Sequence, residues 1–235
     1  MSAALRTHTL RTEHLSMQYG KEVTLHYPDL SLKAGAALAI TGPSGTGKTT
    51  LLHLLAGLLR PASGAVWSGD LNLSVASEMA REAFRRRNVG YVFQDFHLMP
   101  GLSALENVEL GLRVAGADQP RMRAREALEK LDLGHRLHNR PDQLSTGERQ
   151  RVAVARAVAH GPGLLLVDEP TAHLDRGRAG AALDLLLGAA AELGATLLVV
   201  THDPLVADAL PERLELGRLE PQAAASKFTE IPVLA

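Results

Sequence analysis

The run from Gly42 to Thr49, GPSGTGKT, has the residue types and the spacing of a loop that binds nucleotide phosphates. Its glycines let backbone N–H groups approach and surround phosphate oxygens. Lys48 would supply a positive charge for the β and γ phosphates, and Thr49 a hydroxyl ligand for magnesium. The stretch predicts binding of ATP or GTP with Mg2+, through contacts from Gly42, Pro43, Ser44, Gly45, Thr46, Gly47, Lys48, Thr49 and Thr50.

The elements that must position this loop flank it directly. The segment Ala37 to Ile40 has the pattern of a short buried strand, and Thr50 to Ala56 has that of a helix. Such a helix presents the positive end of its dipole to the phosphates. The alternative is an ordinary glycine-rich turn that happens to contain a lysine, and the flanking strand and helix argue against it.

Further candidate residues follow aliphatic stretches that we predict to be core strands. Asp168 and Glu169 close the run from Gly163 to Val167. Asp168 would help to hold magnesium, and Glu169 is placed to polarise a water that attacks the γ phosphate. The alternative is that this acidic pair only caps the next helix. His202 follows another aliphatic strand and could reach the γ phosphate, although a lone histidine is more often structural.

Two more features could contact nucleotide. The segment Leu144 to Glu148 is a small-residue turn at the start of a predicted helix that runs to about Ala159, and helix N-termini bind anions. Tyr19 lies at a predicted turn, where its ring could stack on adenine or simply pack against the protein. Between Asp95 and about Arg140 the pattern is helical, which predicts a helical insertion in an α/β core.

Composition narrows the classes of function. The 235 residues suit one large α/β domain with an inserted subdomain, and the net charge of -1 gives no sign of nucleic-acid binding. The chain has no cysteine, which excludes disulfides, thiolate metal sites and cysteine nucleophiles and fits a reducing cytoplasm. No signal peptide is recognisable, and the apolar run from Ala179 to Val200 divides better into a helix and a strand than into a membrane span. Membrane association would therefore come through a partner.

The order of these motifs resembles the ATP-binding cassette (ABC) family over about Leu10 to Leu219. The resemblance implies an α/β P-loop NTPase fold with a RecA-like, mostly parallel sheet. It also implies an N-terminal antiparallel β subdomain and an inserted α-helical subdomain that carries a signature turn. The expected boundaries are 10–94 and 160–219 for the core with the β subdomain, 95–159 for the helical subdomain and 220–235 for a C-terminal tail.

By the same resemblance, the candidate residues acquire roles toward ATP. Tyr19 matches the aromatic residue that stacks on adenine, and Gln94 matches the glutamine that senses both magnesium and the membrane subunit. Glu169 matches the catalytic base and His202 the switch histidine. Asp175 matches the aspartate of the loop that crosses the dimer. Lys48 and magnesium would neutralise charge that develops on the phosphates during hydrolysis.

The sequence departs from the family pattern at Thr146, in the signature turn, and at His173, near the dimer-crossing loop. Thr146 stands where the family usually has a glycine, so a side chain is added where backbone must approach the γ phosphate of the opposite subunit. Ser145 and Gly147 are retained, while Glu148 replaces the commoner glutamine. His173 replaces a small residue near the dimer-crossing loop. We expect slower or more tightly gated hydrolysis.

The implied assembly is a head-to-tail pair, with a second copy or a homologous ATPase subunit, that closes on two ATP molecules. An integral membrane permease would hold it at the cytoplasmic face of the inner membrane, by docking between core and helical subdomain. The expected docking patch is apolar and consists of Phe96, Leu98, Met99 and Leu102. The run from Gln94 to Val108, with Glu148, resembles the branch for macrolide export and lipoprotein release.

Two other classes of protein compete with this interpretation. A soluble regulatory or DNA-associated ATPase of the same superfamily would need no permease, but the chain has no long coiled-coil insertion and no basic stripe. A phosphate-loop kinase would leave the signature turn and His202 unexplained. An assay for a phosphorylated small molecule would separate the kinase from the transporter subunit.

Overall fold

A computed structural model describes residues 9–20, 23–172, 174, 176–217 and 229–231. Its described strands form two sheets. The strands are β1 (Leu10–Tyr19), β2 (Val23–His26), β3 (Leu30–Leu32), β4 (Ala37–Thr41), β5 (Ser63–Ser68), β6 (Leu71–Asn72), β7 (Val89–Val92), β8 (Leu164–Asp168), β9 (Thr196–Val200), β10 (Glu212–Glu215) and β11 (Thr229–Ile231). The helices are α1 (Lys48–Leu55), α2 (Glu78–Asn88), α3 (Ala104–Val114), α4 (Pro120–Glu129), α5 (Thr146–Val158), α6 (Arg176–Leu193) and α7 (Pro204–Ala209).

One sheet is parallel throughout, with the strand order β10-β4-β9-β8-β7. Every residue of β4, β8 and β9 is buried, which explains why these strands are continuous aliphatic runs. The carboxyl ends of parallel strands meet at one edge of a sheet, and ligands bind there. The sheet therefore brings the segments that follow β4, β7, β8 and β9 to a common edge.

The other sheet holds the N-terminal strands, in the order β11-β3-β1-β5-β6 with β2 also paired to β1. The pairs that β1 makes with β2, β3 and β5 are antiparallel, as the irregular alternation near the N-terminus predicts. The strand β11 lies within the segment expected to be a tail, and it pairs in parallel with β3. The predicted combination of a parallel core sheet and an antiparallel N-terminal sheet is confirmed.

Helices α3, α4 and α5 follow the parallel strand β7, as the helical insertion predicts. Helix α3 begins with a capping box, because Ser103 and Glu106 each accept the other's backbone N–H. Helix α5 faces two cores: Val152 and Ala155 pack in the helical subdomain, while Val154 packs against the parallel sheet. No helix in the described part of the chain is long and apolar enough to cross a bilayer.

The predicted docking patch is exposed only in part. Phe96 is only 7% exposed, and Leu98 packs against the core of the helical subdomain. Met99, in contrast, is 51% exposed. The backbone at Phe96 takes a left-handed φ of 61°, which an extended segment would not have. The groove between core and helical subdomain is lined by Met99 together with residues outside the predicted patch.

Candidate functional site

The phosphate loop leaves β4 and is shaped by glycines that the surrounding protein requires. Gly42 has a φ of 145°, and a Cβ there would lie 2.4 Å from the carbonyl oxygen of Leu216. Gly47 has a φ of 86°, and a Cβ there would lie 2.5 Å from Leu25 Cδ1 and 2.7 Å from the Tyr27 hydroxyl. Neither position can hold a larger residue without movement of its neighbours.

Lys48 is the first residue of α1, and its side chain turns back over the loop. Its Nζ donates to the carbonyl oxygens of Gly42 at 2.8 Å and Pro43 at 3.0 Å. The Thr46 hydroxyl donates to the same Pro43 oxygen at 3.0 Å. Ser44 is exposed at the tip of the loop. The structure thus places the cation of the loop beside the backbone that is expected to surround phosphate.

Two tyrosines stand beside the loop. Tyr19, predicted from the sequence, is 46% exposed, and its hydroxyl shares a 2.8 Å hydrogen bond with that of Thr50. Tyr27, which sequence reasoning missed, is buried and donates its hydroxyl to the Gly47 carbonyl at 3.1 Å. Burial is the main cause that raises the pKa of Tyr27. No spacing or motif marks Tyr27 as a residue that supports the loop.

Glu169 and His202 meet at the same edge of the parallel sheet. Glu169 Oε2 lies 2.9 Å from His202 Nδ1 and accepts the His202 backbone N–H at 3.2 Å. The Glu169 N–H donates to the carbonyl of Val200 at 2.9 Å. Glu169 has a φ of 46°, a conformation that is uncommon for residues other than glycine. The arrangement can hold a carboxylate and an imidazole together next to the loop.

Asp168 is buried at the end of β8, and one of its oxygens lacks a partner. Its Oδ1 is among the buried polar atoms that make no hydrogen bond in the described part of the chain. Burial raises the pKa of Asp168, although a hydrogen bond from the Thr49 side chain acts in the opposite direction. A buried carboxylate oxygen without a partner is costly, by about 1–3 kcal/mol. Asp168 and Thr49 offer the oxygen ligands that Mg2+ prefers.

The turn at Ser145 begins a helix, as predicted. Ser145 is exposed and caps α5, and Glu148 Oε2 accepts the Ser145 N–H at 2.8 Å. This hydrogen bond is the main cause that lowers the pKa of Glu148 to about 2, and Arg136 Nε adds another at 2.8 Å. The Thr146 hydroxyl accepts from Arg149 at 3.1 Å. The N-terminus of α5 is therefore firmly shaped while its first residues remain accessible.

Other predicted residues lie at different distances from this site. Gln94 is exposed just beyond β7, so it shares the edge of the parallel sheet. A Cβ at Gly147 would have no heavy atom within 4 Å, so that position faces open space. His173 and Asp175 lie outside the described residues. Sequence reasoning also missed the buried Gln150, whose Nε2 donates to the carbonyl of the residue after Glu169 at 2.9 Å.

Comparisons with known proteins agree with this geometry. A family model described as ABC transporter matches residues 25–172. The lipoprotein-releasing system ATP-binding protein LolD of Pseudomonas fluorescens is 46% identical over 183 residues, which are 77% of this chain and 81% of that protein. LolD of Xanthomonas campestris pv. campestris is 42% identical over 225 residues, 92% of this chain and 94% of that protein.

Solved structures of ATP-binding cassettes are also similar to this chain. The ATP-binding cassette MJ0796, a dimer in a post-hydrolysis state bound to ADP and Pi, has a TM-score of 0.80 and 35% identity. The similarity covers 88% of this chain and 94% of the MJ0796 chain. The chain therefore belongs to the ABC transporter family, as an ATP-binding cassette that hydrolyses ATP.

Proposed function

We propose that this chain powers a lipoprotein-releasing system and hydrolyses ATP at the cytoplasmic face of the inner membrane, held there by an integral membrane permease. The names of the LolD relatives, which align with most of the chain, support the substrate class. The observation that carries the catalytic part is the contact between Glu169 and His202, on the sheet edge that bears the phosphate loop. No part of the proposal involves nucleic acid.

In this proposal the chain contacts both the adenine and the phosphates of ATP. Tyr19 stacks on the adenine ring, because its half-exposed side chain stands over the start of α1. The N–H groups of the loop from Gly42 to Thr50 surround the phosphates, and Lys48 moves from its carbonyl partners to phosphate oxygens. Thr49, Asp168 and Gln94 would hold Mg2+, which supplies positive charge to the β and γ phosphates.

The proposed hydrolysis depends on the pair at the sheet edge. Glu169 accepts a proton from the attacking water and orients that water toward the γ phosphate. His202 binds Glu169 through Nδ1, so Nε2 is the ring nitrogen left to face the γ phosphate. Lys48 and the N-termini of two helices balance the charge that develops on the phosphoryl group. In this proposal Glu169 is the base, His202 faces the γ phosphate, and Lys48 balances the developing charge.

A second copy or a homologous ATPase subunit completes each site in this proposal. The N-terminus of α5 presents Ser145, Thr146, Gly147 and Glu148 to the ATP bound by the opposite subunit, where its N–H groups bind the γ phosphate. Asp175, on the loop expected to cross the dimer, would contact the same nucleotide. The dimeric form of MJ0796 supports a pair of this kind. Closure on ATP and reopening after hydrolysis would drive the permease.

Thr146 gives a prediction about the rate of hydrolysis. Thr146→Gly should raise basal ATPase activity about threefold, less than 1 kcal/mol in activation free energy, because removal of the side chain eases approach to the opposite γ phosphate. Thr146→Ser is the matched control, since it keeps the hydroxyl that Arg149 binds. Steady-state ATPase assays on protein that still dimerises give the answer. An unchanged or lower rate for the glycine variant would remove the steric explanation.

The docking groove gives a prediction about membrane attachment. The groove has a volume of about 400 Å3, and its lining includes Arg86, Met99, Leu110, Val114 and Arg156. Val114 is 53% exposed, so Val114→Asp should release the protein from the membrane fraction while the purified protein keeps its ATPase activity. Met122→Asp is the control, because Met122 is 50% exposed on α4, outside the groove lining. Equal release by both variants would reject the groove as the docking site.

The substrate class is tested in cells. Depletion of the protein should leave lipoproteins in the inner membrane, and resupply of the wild-type chain, but not of Glu169→Gln, should restore their release. Fractionated membranes probed for several lipoproteins provide the measurement. A normal lipoprotein distribution together with increased sensitivity to macrolides would instead favour the export alternative.

A further inference from the structure

Two adjacent residues after Gln94 have a conformation that L-residues seldom adopt. Phe96 has a φ of 61° and His97 a φ of 44°, and no other two adjacent non-glycine residues in the described ranges both have positive φ. Such a backbone persists only where surrounding contacts stabilise it. Local turns supply part of this, since the Phe96 N–H donates to Phe93 at 3.0 Å and the His97 N–H to Asp95 at 2.7 Å.

The remaining support comes from Arg156, near the C-terminal end of α5. Its Nη2 donates to the Phe96 carbonyl and its Nη1 to the His97 carbonyl, each at 2.6 Å. A planar guanidinium can hold two neighbouring acceptors at once in fixed geometry, which a lysine ammonium cannot reproduce. The two N–H groups of this guanidinium, here called the fork, therefore bind the two residues whose backbone is left-handed.

The neighbouring helix leaves room for this arginine. A Cβ on Gly111 of α3 would lie 3.1 Å from Arg156 Cγ, so any larger residue would crowd the stem of the side chain. Arg156 also lines the docking groove, together with Met99 and Val114. Arg156, on the helix that begins at the signature turn, thus contacts the segment that follows Gln94 and lines the groove.

We infer that Arg156 is a positioning residue for ATP hydrolysis, which holds Gln94 in place through the carbonyls of Phe96 and His97. The inference rests on the role proposed above for Gln94. Because Arg156 belongs to α5, the same fork ties the position of Gln94 in one ATP site to the helix that serves the opposite site. A groove occupant that displaced the Arg156 side chain would shift Gln94 without touching nucleotide.

A purely structural role is the competing explanation, and Arg123 provides the matched control. Arg123 Nη2 donates to the backbone carbonyl of Ala159, just beyond α5, at 2.8 Å. Arg123→Met and Arg156→Met each remove a guanidinium bound to main-chain carbonyls of the helical subdomain. Only the second variant releases the segment after Gln94.

The test is steady-state ATPase kinetics of the purified full chain, with ATP and Mg2+ varied separately. Arg156→Met should lower kcat by on the order of ten- to a hundredfold and raise the Mg2+ concentration for half-maximal rate, while KM for ATP changes by less than about twofold. Arg123→Met should keep the wild-type kcat. Adding His97→Gly to Arg156→Met should recover part of kcat, because glycine adopts a left-handed backbone readily.

The inference is overturned if Arg156→Met keeps the wild-type kcat and Mg2+ dependence, or if Arg123→Met loses activity to the same degree. Should Arg156→Met fail to fold, Arg156→Lys carries the test, because it keeps the stem and the charge but not the fork. A smaller loss of kcat with the same Mg2+ shift is then expected. ATPase activity of the isolated chain does not depend on the released substrate, so failure of the lipoprotein assignment would leave this result intact.

Discussion

Glu169→Gln should lower kcat for ATP hydrolysis by about 10²- to 10⁴-fold, the usual contribution of a general base. Glutamine keeps the shape of the side chain and an oxygen that can still accept the His202 backbone N–H, which the carboxylate accepts at 3.2 Å. It cannot take a proton from water. ATP binding should persist, and a steady-state assay with a parallel binding measurement separates the two effects.

The same variant should reveal the proposed dimer, because the γ phosphate that both halves hold is no longer removed. In size exclusion with light scattering, Glu169→Gln should have dimer mass with ATP and Mg2+ and monomer mass with ADP. Glu192→Gln is the control, since Glu192 is an exposed carboxylate that binds only Lys130 in the described contacts. Wild-type rates would mean that Glu169 is not the base, and a monomer with ATP bound would contradict the two-chain site.

Lys48→Ala should abolish productive ATP binding, with Kd raised by on the order of a hundredfold. The expectation follows from the loss of charge-assisted hydrogen bonds to phosphate, each worth about 1.5–3 kcal/mol. Lys130→Ala is the control, because it removes a positive charge from the helical subdomain, where Lys130 binds Glu192. Calorimetric titration with ATP gives Kd, and thermal unfolding of the free variants shows whether the loop still folds.

Two results would count against the role of Lys48. Wild-type affinity in Lys48→Ala would mean that the ammonium does not bind phosphate. Loss of affinity only in step with loss of folded protein would mean that the lysine matters through the carbonyls of Gly42 and Pro43, which it binds in the absence of nucleotide. The folded fraction of each variant decides between these interpretations.

Local patterns predicted most of the fold because the relevant signals are local. The aliphatic runs of β8 and β9 are each buried throughout, and the capping box at Ser103 needs only residues within one helical turn. The glycines of the phosphate loop were also readable. The sequence did not show that a Cβ at Gly42 or Gly47 would collide with residues from distant parts of the chain.

The features that sequence reasoning missed depend on contacts across the chain. Phe96 was expected in an exposed apolar patch but is buried, and its left-handed backbone is bound by Arg156, which is 60 positions away. Tyr27, just beyond β2, supports Gly47 from 20 positions earlier in the chain. Neither contact leaves a trace in spacing or composition. The roles of the site residues toward ATP stay predictions until the variants are measured.

The order of the strands β4, β9 and β8 in the parallel sheet determines the spacing of the active-site segments. Val200 is in register with Ile40 on one side and with Asp168 on the other, so the three strands end within one residue of one another. Adjacent strands lie about 4.8 Å apart, which sets the phosphate loop and Glu169 about 10 Å apart with His202 between them. Backbone pairing, not side-chain packing, fixes that length. We therefore expect the site to tolerate core substitutions that preserve the pairing, whereas a one-residue slip of β9 would move His202 by about 3.3 Å.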